Sequence, residues 1–316
     1  MSGSRSFLAK LRNGDEIARL VTFIFAATVV LITVLLVYEL WIGSALPRHK
    51  FGLSFFLTRV WDPIAEEFGA LPFIYGTLIT AGVSLCLAIP LGIGAAIFLA
   101  ELAPQKISDT LQFFIDLLAA VPSVIYGLLG VFIVIPLMRE YIQPALKATL
   151  GFLPLFQGPA YGVGFFTAGI VLAIMVIPYI ISVSREVLMS VPRDQREAAL
   201  ALGSTRWEST WKVVVPFARS GIMGSIFLAL ARALGETMAV TMVIGNTPTI
   251  SASLFSPGYS IAAVIANEFT EATGDMYLQA LIELGLVLFL LTFILNGLAR
   301  LLMMLTTQRG SGMGHV

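Results

Sequence analysis

The chain has 316 residues, 58% of them hydrophobic and 12% charged, with a mean hydropathy of +0.91 and zero formal net charge. A soluble domain carries roughly a quarter charged residues, so this chain is solvated by lipid rather than water, and its neutral balance gives no hint of a nucleic-acid partner. The single cysteine, Cys86, and the two histidines, His49 and His315, are too few for a disulfide framework, a His/Cys metal cluster or a histidine-based catalytic triad.

Roughly 20 apolar residues cross the hydrocarbon layer as a helix. Runs of that length predict six spans, at about 19–41, 73–99, 108–137, 164–188, 220–244 and 277–304. The chain therefore reads as an all-α integral membrane protein. The first run follows Arg5, Lys10, Arg12 and Arg19, as a secretory signal would. Its apolar stretch is too long for one, and Glu39-Leu40-Trp41 is a poor cleavage site, so it is read as an uncleaved first span. The outer segment 42–72 follows, with Trp41, Phe56 and Trp61 suited to an interfacial aromatic belt.

The second span carries Pro90-Leu91-Gly92-Ile93-Gly94, the third is broken by Pro122, and the fourth contains Pro178. Each mid-span proline frees a carbonyl that must find a partner in the bundle. That marks either a packing kink or a helix shaped around a cavity. Thr77 and Thr80, one turn apart, fit bonding between helices. Asp116 fits either the bundle interior or the membrane interface.

Between the fourth and fifth spans the chain reads as a helix, a turn and a second helix. Glu197, Ala198 and Ala199 favour the first helix. Gly203 is placed to end it in a left-handed cap. Thr205 and Glu208 form a capping box that opens the second, and Pro216 precedes the fifth span. In the fifth span Arg232 and Glu236 are four apart, on one face of a continuous helix, where a charge costs about 2.5–3.5 kcal/mol on insertion scales. They are either a structural ion pair or an oxyanion-binding arginine kept paired between passages; a guanidinium fork suits such an anion. Ser123 and Tyr126, beside Pro122, either donate to the same anion or satisfy freed backbone. The 245–276 loop has Glu268, Glu271 and Asp275 and no Lys or Arg, and its short apolar stretch 261–269 suits an interfacial or re-entrant helix. In the sixth span Glu283 and Asn296 fit a packing role.

Orientation follows from Lys and Arg. Arg5, Lys10, Arg12, Arg19, Lys106, Arg185, Arg193, Arg196, Arg206, Lys212, Arg219, Arg300 and Arg309 fall on one side, and only Arg48, Lys50, Arg59, Arg139 and Lys147 on the other. Both termini are therefore expected in the cytoplasm. The division that follows is 1–72 (N-terminus, first span and outer loop), 73–305 (a core of five spans with a cytoplasmic loop at about 193–216) and 306–316 (a cytoplasmic tail).

That loop is also where a resemblance begins. Glu197-Ala198-Ala199, three residues, Gly203, nine residues, then Val213, Val215 and Pro216 resembles the EAA loop of ABC importer permeases, although that family usually has Ile and Leu where Val213 and Val215 stand. The resemblance implies a type I ABC importer permease fold, with this loop seated in a cytoplasmic ATPase. Ala120-Val-Pro-Ser-Val-Ile-Tyr-Gly127, Ala231-Arg-Ala-Leu-Gly-Glu-Thr-Met-Ala-Val240, Asn267-Glu268-Phe269 and Leu284-Gly-Leu-Val-Leu288 are similar to phosphate-importer permeases of the PstC family, over roughly residues 20–305.

This further resemblance implies a PstA-like sister permease, a PstB-like ATPase dimer that binds ATP and Mg, and a PstS-like extracytoplasmic binding protein, in a bacterial inner membrane. The chain has no phosphate-binding Gly-rich loop of its own, so it is expected to hold no cofactor and to be a pathway rather than an enzyme. The alternatives are a permease for sulfate or molybdate, or a secondary transporter.

Overall fold

The computed structural model describes residues 15–311; Arg5, Lys10 and Arg12, and the end of the 306–316 tail, lie outside the described residues. Six helices are long and apolar enough to cross a membrane. They are α1 (Asp15–Gly43), α3 (Leu71–Leu102), α5 (Ser123–Leu150), α6 (Phe165–Met189), α8 (Arg206–Gly235) and α11 (Asp275–Ser311). Shorter helices fill the connections: α2 (Ala45–Phe51), α4 (Gln105–Ala119), α7 (Arg193–Ala201), α9 (Met238–Ile244) and α10 (Ile261–Glu268).

Two expected spans are displaced. The third was expected at 108–137. Instead α4 is a separate helix, and the spanning helix begins after Pro122, whose extended backbone (ψ 141°) ends the first run. The polar positions of α4 face α6: Gln112 Nε2 donates to Ser182 Oγ at 2.8 Å, Ser182 Oγ to Asp116 Oδ1 at 2.8 Å, and Arg185 Nη2 to Ser108 Oγ at 2.9 Å. Asp116 is thus held between helices. The fifth span was expected at 220–244 with Pro216 ahead of it. The helix runs without interruption from Arg206 to Gly235, and Pro216 lies inside it.

A helix tolerates that proline because the turn before it, Thr210–Val214, widens to a π turn in which Val215 N–H reaches back five residues to Thr210 O. The wide turn relieves the clash between a proline ring and the carbonyl four residues earlier. The same device recurs before Pro136 (π turn Gly130–Val134) and before Pro144 (Met138–Ile142).

The bundle is built around α6, which packs against α3, α8 and α9 through Phe165, Val171, Leu172, Val176 and Ile180. Small residues set the helix spacing. A Cβ on Gly92 would lie 2.7 Å from Ile180 Cγ2, and one on Gly127 3.2 Å from Ala239 Cα. In a bilayer, where apolar burial drives little association, such close backbone packing holds helices together.

A second apolar cluster closes the opposite end of the molecule from α7. The 42–72 segment folds back through a two-stranded antiparallel ribbon, β1 (Trp61–Asp62) and β2 (Glu67–Phe68), onto Tyr259, Ile261 and Leu281. Trp61 does not sit in a lipid-facing belt. Its ring meets Phe68 and Phe73 edge-on, each at 4.9 Å, and its indole N–H donates to Glu268 Oε2 at 2.9 Å. Thr77 bonds across helices, accepting from Ile261 N–H at 3.0 Å, whereas Thr80 donates to Gly76 O of its own helix.

Candidate substrate path and coupling site

Two of the long transmembrane runs are broken, and the breaks frame a small group of polar side chains. The last turn of α4 leaves carbonyls without intrahelical partners. Tyr126 Oη donates to Leu118 O and Tyr179 Oη to Ala119 O, both at 2.7 Å. The tyrosines come from α5 and α6, so three helices are tied at the Pro122 break.

Above the Tyr179 ring, at 4.3 Å from its centroid, lies the guanidinium carbon of Arg232. Tyr126 is close enough to both Tyr179 and Arg232 to interact with them electrostatically. A cation over an aromatic face gains about 0.5–2 kcal/mol, less than the several kcal/mol that burying a charge costs. Arg232 Nε is buried and makes no hydrogen bond. The charge is therefore held but not neutralised, and its donors remain open.

Glu236 is not where an unbroken helix would put it. The helix ends at Gly235, and Glu236 is extended (ψ 125°). Its Oε1 accepts from Ala239 N–H at 3.1 Å, capping α9. No ion pair joins Glu236 to Arg232 among the described residues, so the expected pairing on one helical face is corrected: Tyr179, not Glu236, lies against the arginine. Tyr126 has its hydroxyl committed to backbone. Ser123, half-buried at the start of α5, is left with a hydroxyl that makes no hydrogen bond among the described residues. Arg232, Tyr179 and Tyr126 are thus one cluster, with Ser123 one turn from Tyr126 on α5.

The second candidate site lies at the α7 end. α7 ends with Gly203 at φ +88°, where its N–H bonds Leu200 O and Ser204 N–H bonds Ala199 O. The capping box at Thr205 and Glu208 is present in full. Glu197 and Ala198 are exposed, Ala199 is buried, and Leu202 projects at the tip with 88% of its surface exposed. Farther along, Val213 and Val215 are half-buried and Val214 fully buried, while Pro216 is exposed.

What fixes α7 to the bundle was not anticipated. Arg196 donates to Glu101 through Nη2 at 2.7 Å and through Nε at 3.1 Å, and also to Leu188 O at 2.7 Å and to Val191 O. One side chain thereby joins α7 to the ends of α3 and α6. Arg196 and Glu101 are 95 residues apart, and the only clue in the sequence was a charge at each helix end. Tyr179 was likewise missed; its signal was a polar-tipped aromatic directly after the mid-span Pro178.

Comparison with known proteins follows the same lines. Residues 88–304 match the family described as binding-protein-dependent transport system inner membrane component. A protein of Haemophilus influenzae named phosphate transport system permease protein PstC is 48% identical over 292 residues, covering 91% of this chain and 92% of its own. A protein of the same name from Mesorhizobium japonicum is 46% identical over 285 residues, covering 88% and 87%. Among solved structures, a bacterial ABC transporter involved in the import of the acidic polysaccharide alginate aligns with a TM-score of 0.58 at 17% identity, over 92% of this chain and 98% of that one. The fold is that of ABC importer permeases.

Proposed function

We propose, because the chain belongs to the family of binding-protein-dependent transport system inner membrane components, that it is the permease subunit of an ATP-driven importer of inorganic phosphate. The observation that carries the choice of phosphate is the near-full-length similarity to phosphate permeases. Electrostatics alone does not choose among oxyanions, since a guanidinium fork meets phosphate, sulfate and molybdate alike.

In this reading the pathway lies beside the broken helices, with Arg232 meeting the anion. The Tyr179 ring steadies the guanidinium between passages while leaving its N–H donors free, and Ser123 offers a further donor. An uncompensated cation in a low-dielectric bundle would hold a polyvalent anion too tightly for release; the Tyr179 ring face offsets part of the Arg232 charge. A PstA-like sister permease supplies the other wall, and a PstS-like protein delivers phosphate from outside.

The hairpin of α7 and the start of α8 faces the cytoplasm, as the cluster of Arg193, Arg196, Arg206 and Lys212 supports, and both termini lie on that side. Glu197, Ala198 and Leu202 seat in a groove of a PstB-like ATPase dimer, which holds ATP and Mg. Arg196 carries the ATPase movement to α3 and α6. The bundle then exposes the anion site to one side or the other, and this chain itself catalyses no bond change.

The test is uptake of radiolabelled phosphate by vesicles containing the assembled importer. Uptake should require ATP and the binding protein, and excess unlabelled sulfate or molybdate should leave it unaffected. Uptake driven by an ion gradient without ATP would overturn the proposal, and competition by sulfate or molybdate would overturn the choice of phosphate.

A further inference from the structure

At the end opposite α7, a cavity of about 460 Å³ opens between α1, α2 and α11. Its walls are apolar, with Val37, Phe56, Leu286 and Leu290 among them, yet two charged residues, Arg48 and Glu283, also line it. Glu283 is 3% exposed, and its Oε2 has no hydrogen-bond partner. An unpaired buried carboxyl is costly, and the neighbouring base acts on it through space without giving it a hydrogen bond. Arg48 Nη1 donates to Trp41 O at 2.7 Å and to Ser44 Oγ at 3.2 Å, and its guanidinium stacks 3.7 Å from the Trp41 ring. The other edge of the fork, Nη2 and Nε, makes no hydrogen bond among the described residues. An acid and a base therefore share a greasy cavity, each with bonding capacity to spare and no ion pair between them.

The level of the cavity is fixed by the backbone. Leu46 N–H donates to Gln279 Oε1 at 2.9 Å, pinning α2 against α11 one turn before Glu283. Eight residues separate Glu283 from the start of α11 at Asp275, about 12 Å along the helix. Trp41, on the same cavity wall, is a residue type that collects at membrane interfaces.

We propose that this cavity binds one aminophospholipid. Its ammonium meets the Glu283 carboxylate, its phosphate meets the open edge of Arg48, and the start of an acyl chain lies along Leu286 and Leu290. Charge complementarity selects this occupant. A lipid with an uncharged glycerol headgroup would satisfy Arg48 but leave Glu283 without a cation, and a fatty acid would set a second carboxylate against it. The inference is independent of which anion the protein carries.

The test uses the full-length chain, purified with the subunits it assembles with and stripped of lipid in mild detergent. Phosphatidylethanolamine or phosphatidylglycerol is titrated in, and bound lipid is counted by native mass spectrometry. One phosphatidylethanolamine per chain should bind, at least about tenfold more tightly than phosphatidylglycerol, in keeping with a hydrogen bond to a charged group. Glu283→Gln should erase that preference, Arg48→Gln should weaken both lipids alike, and Leu290→Trp should exclude both by filling the cavity. Equal binding of the two lipids by the unaltered protein would overturn the proposal without recourse to any variant. So would the absence of a stoichiometric lipid, including the case in which a partner subunit's side chain fills the space.

Discussion

Removing the Arg196 side chain should uncouple transport from ATP hydrolysis. Arg196 joins three helix ends through its bonds to Glu101, Leu188 O and Val191 O. The ion pair is mostly shielded from water, with Arg196 21% and Glu101 9% exposed. Breaking a buried pair by deleting one partner costs about 3–5 kcal/mol, and the partial exposure of Arg196 argues for the low end, about 3 kcal/mol. A clamp of that strength, taken alone, is open roughly 1% of the time, and without it α7 keeps only its remaining packing on the bundle, such as buried Ala199.

Arg196→Ala in the assembled importer should therefore cut phosphate moved per ATP hydrolysed by at least about tenfold, with ATP hydrolysis itself persisting. Glu101→Ala should do the same, and the double variant should be little worse than either, a coupling of about 2–3 kcal/mol in a double-mutant cycle of thermal stability. Paired measurements of uptake and hydrolysis provide the assay. Uptake per ATP at the unaltered level, or effects of the two substitutions that simply add, would refute the reasoning.

Three further outcomes are expected. Tyr179→Phe keeps the ring beneath Arg232 but loses the bond to Ala119 O, so it should cost about 1 kcal/mol of stability in thermal unfolding and spare transport, whereas Tyr179→Leu should also impair phosphate uptake. Gly203→Ala places a side chain at φ +88° and should destabilise the hairpin by about 1–2 kcal/mol, seen as weaker co-purification of the ATPase. Gly92→Val forces a branched side chain into a space where one Cβ already approaches Ile180 within 2.7 Å; overpacking of about 1–3 kcal/mol should lower the melting temperature of the purified protein.

The features legible in the sequence are those fixed by local chemistry. Thr205 and Glu208 form their box because both partners lie within one turn, and Gly203 ends α7 because only glycine reaches positive φ without strain. The break at Pro122 followed from a missing N–H. The break after Gly235 did not, since Ala231–Leu234 and Met238–Val240 both favour helix and the four-residue spacing of Arg232 and Glu236, about one turn, read as continuous. The reading of Arg232 with Glu236 inherited that assumption.

The third span was misplaced for a related reason. Its apolar window merged α4 with α5, although Ser108, Asp109, Gln112 and Asp116 form a polar stripe at helical spacing that the structure turns toward α6. Hydropathy averages over a helix face and so cannot see such a stripe. Contacts across great separations, Arg196 with Glu101 or Trp61 with Glu268, depend on the packed bundle and left no local trace.

The most direct test of the central claim, that an oxyanion passes Arg232 through this bundle, is phosphate uptake by an Arg232→Gln variant that assembles normally. Glutamine keeps a donor but not the charge, so ATP-dependent uptake should fall by at least about a hundredfold, the loss of two or more charge-assisted hydrogen bonds, while ATP hydrolysis continues. Uptake at the unaltered rate would contradict the claim.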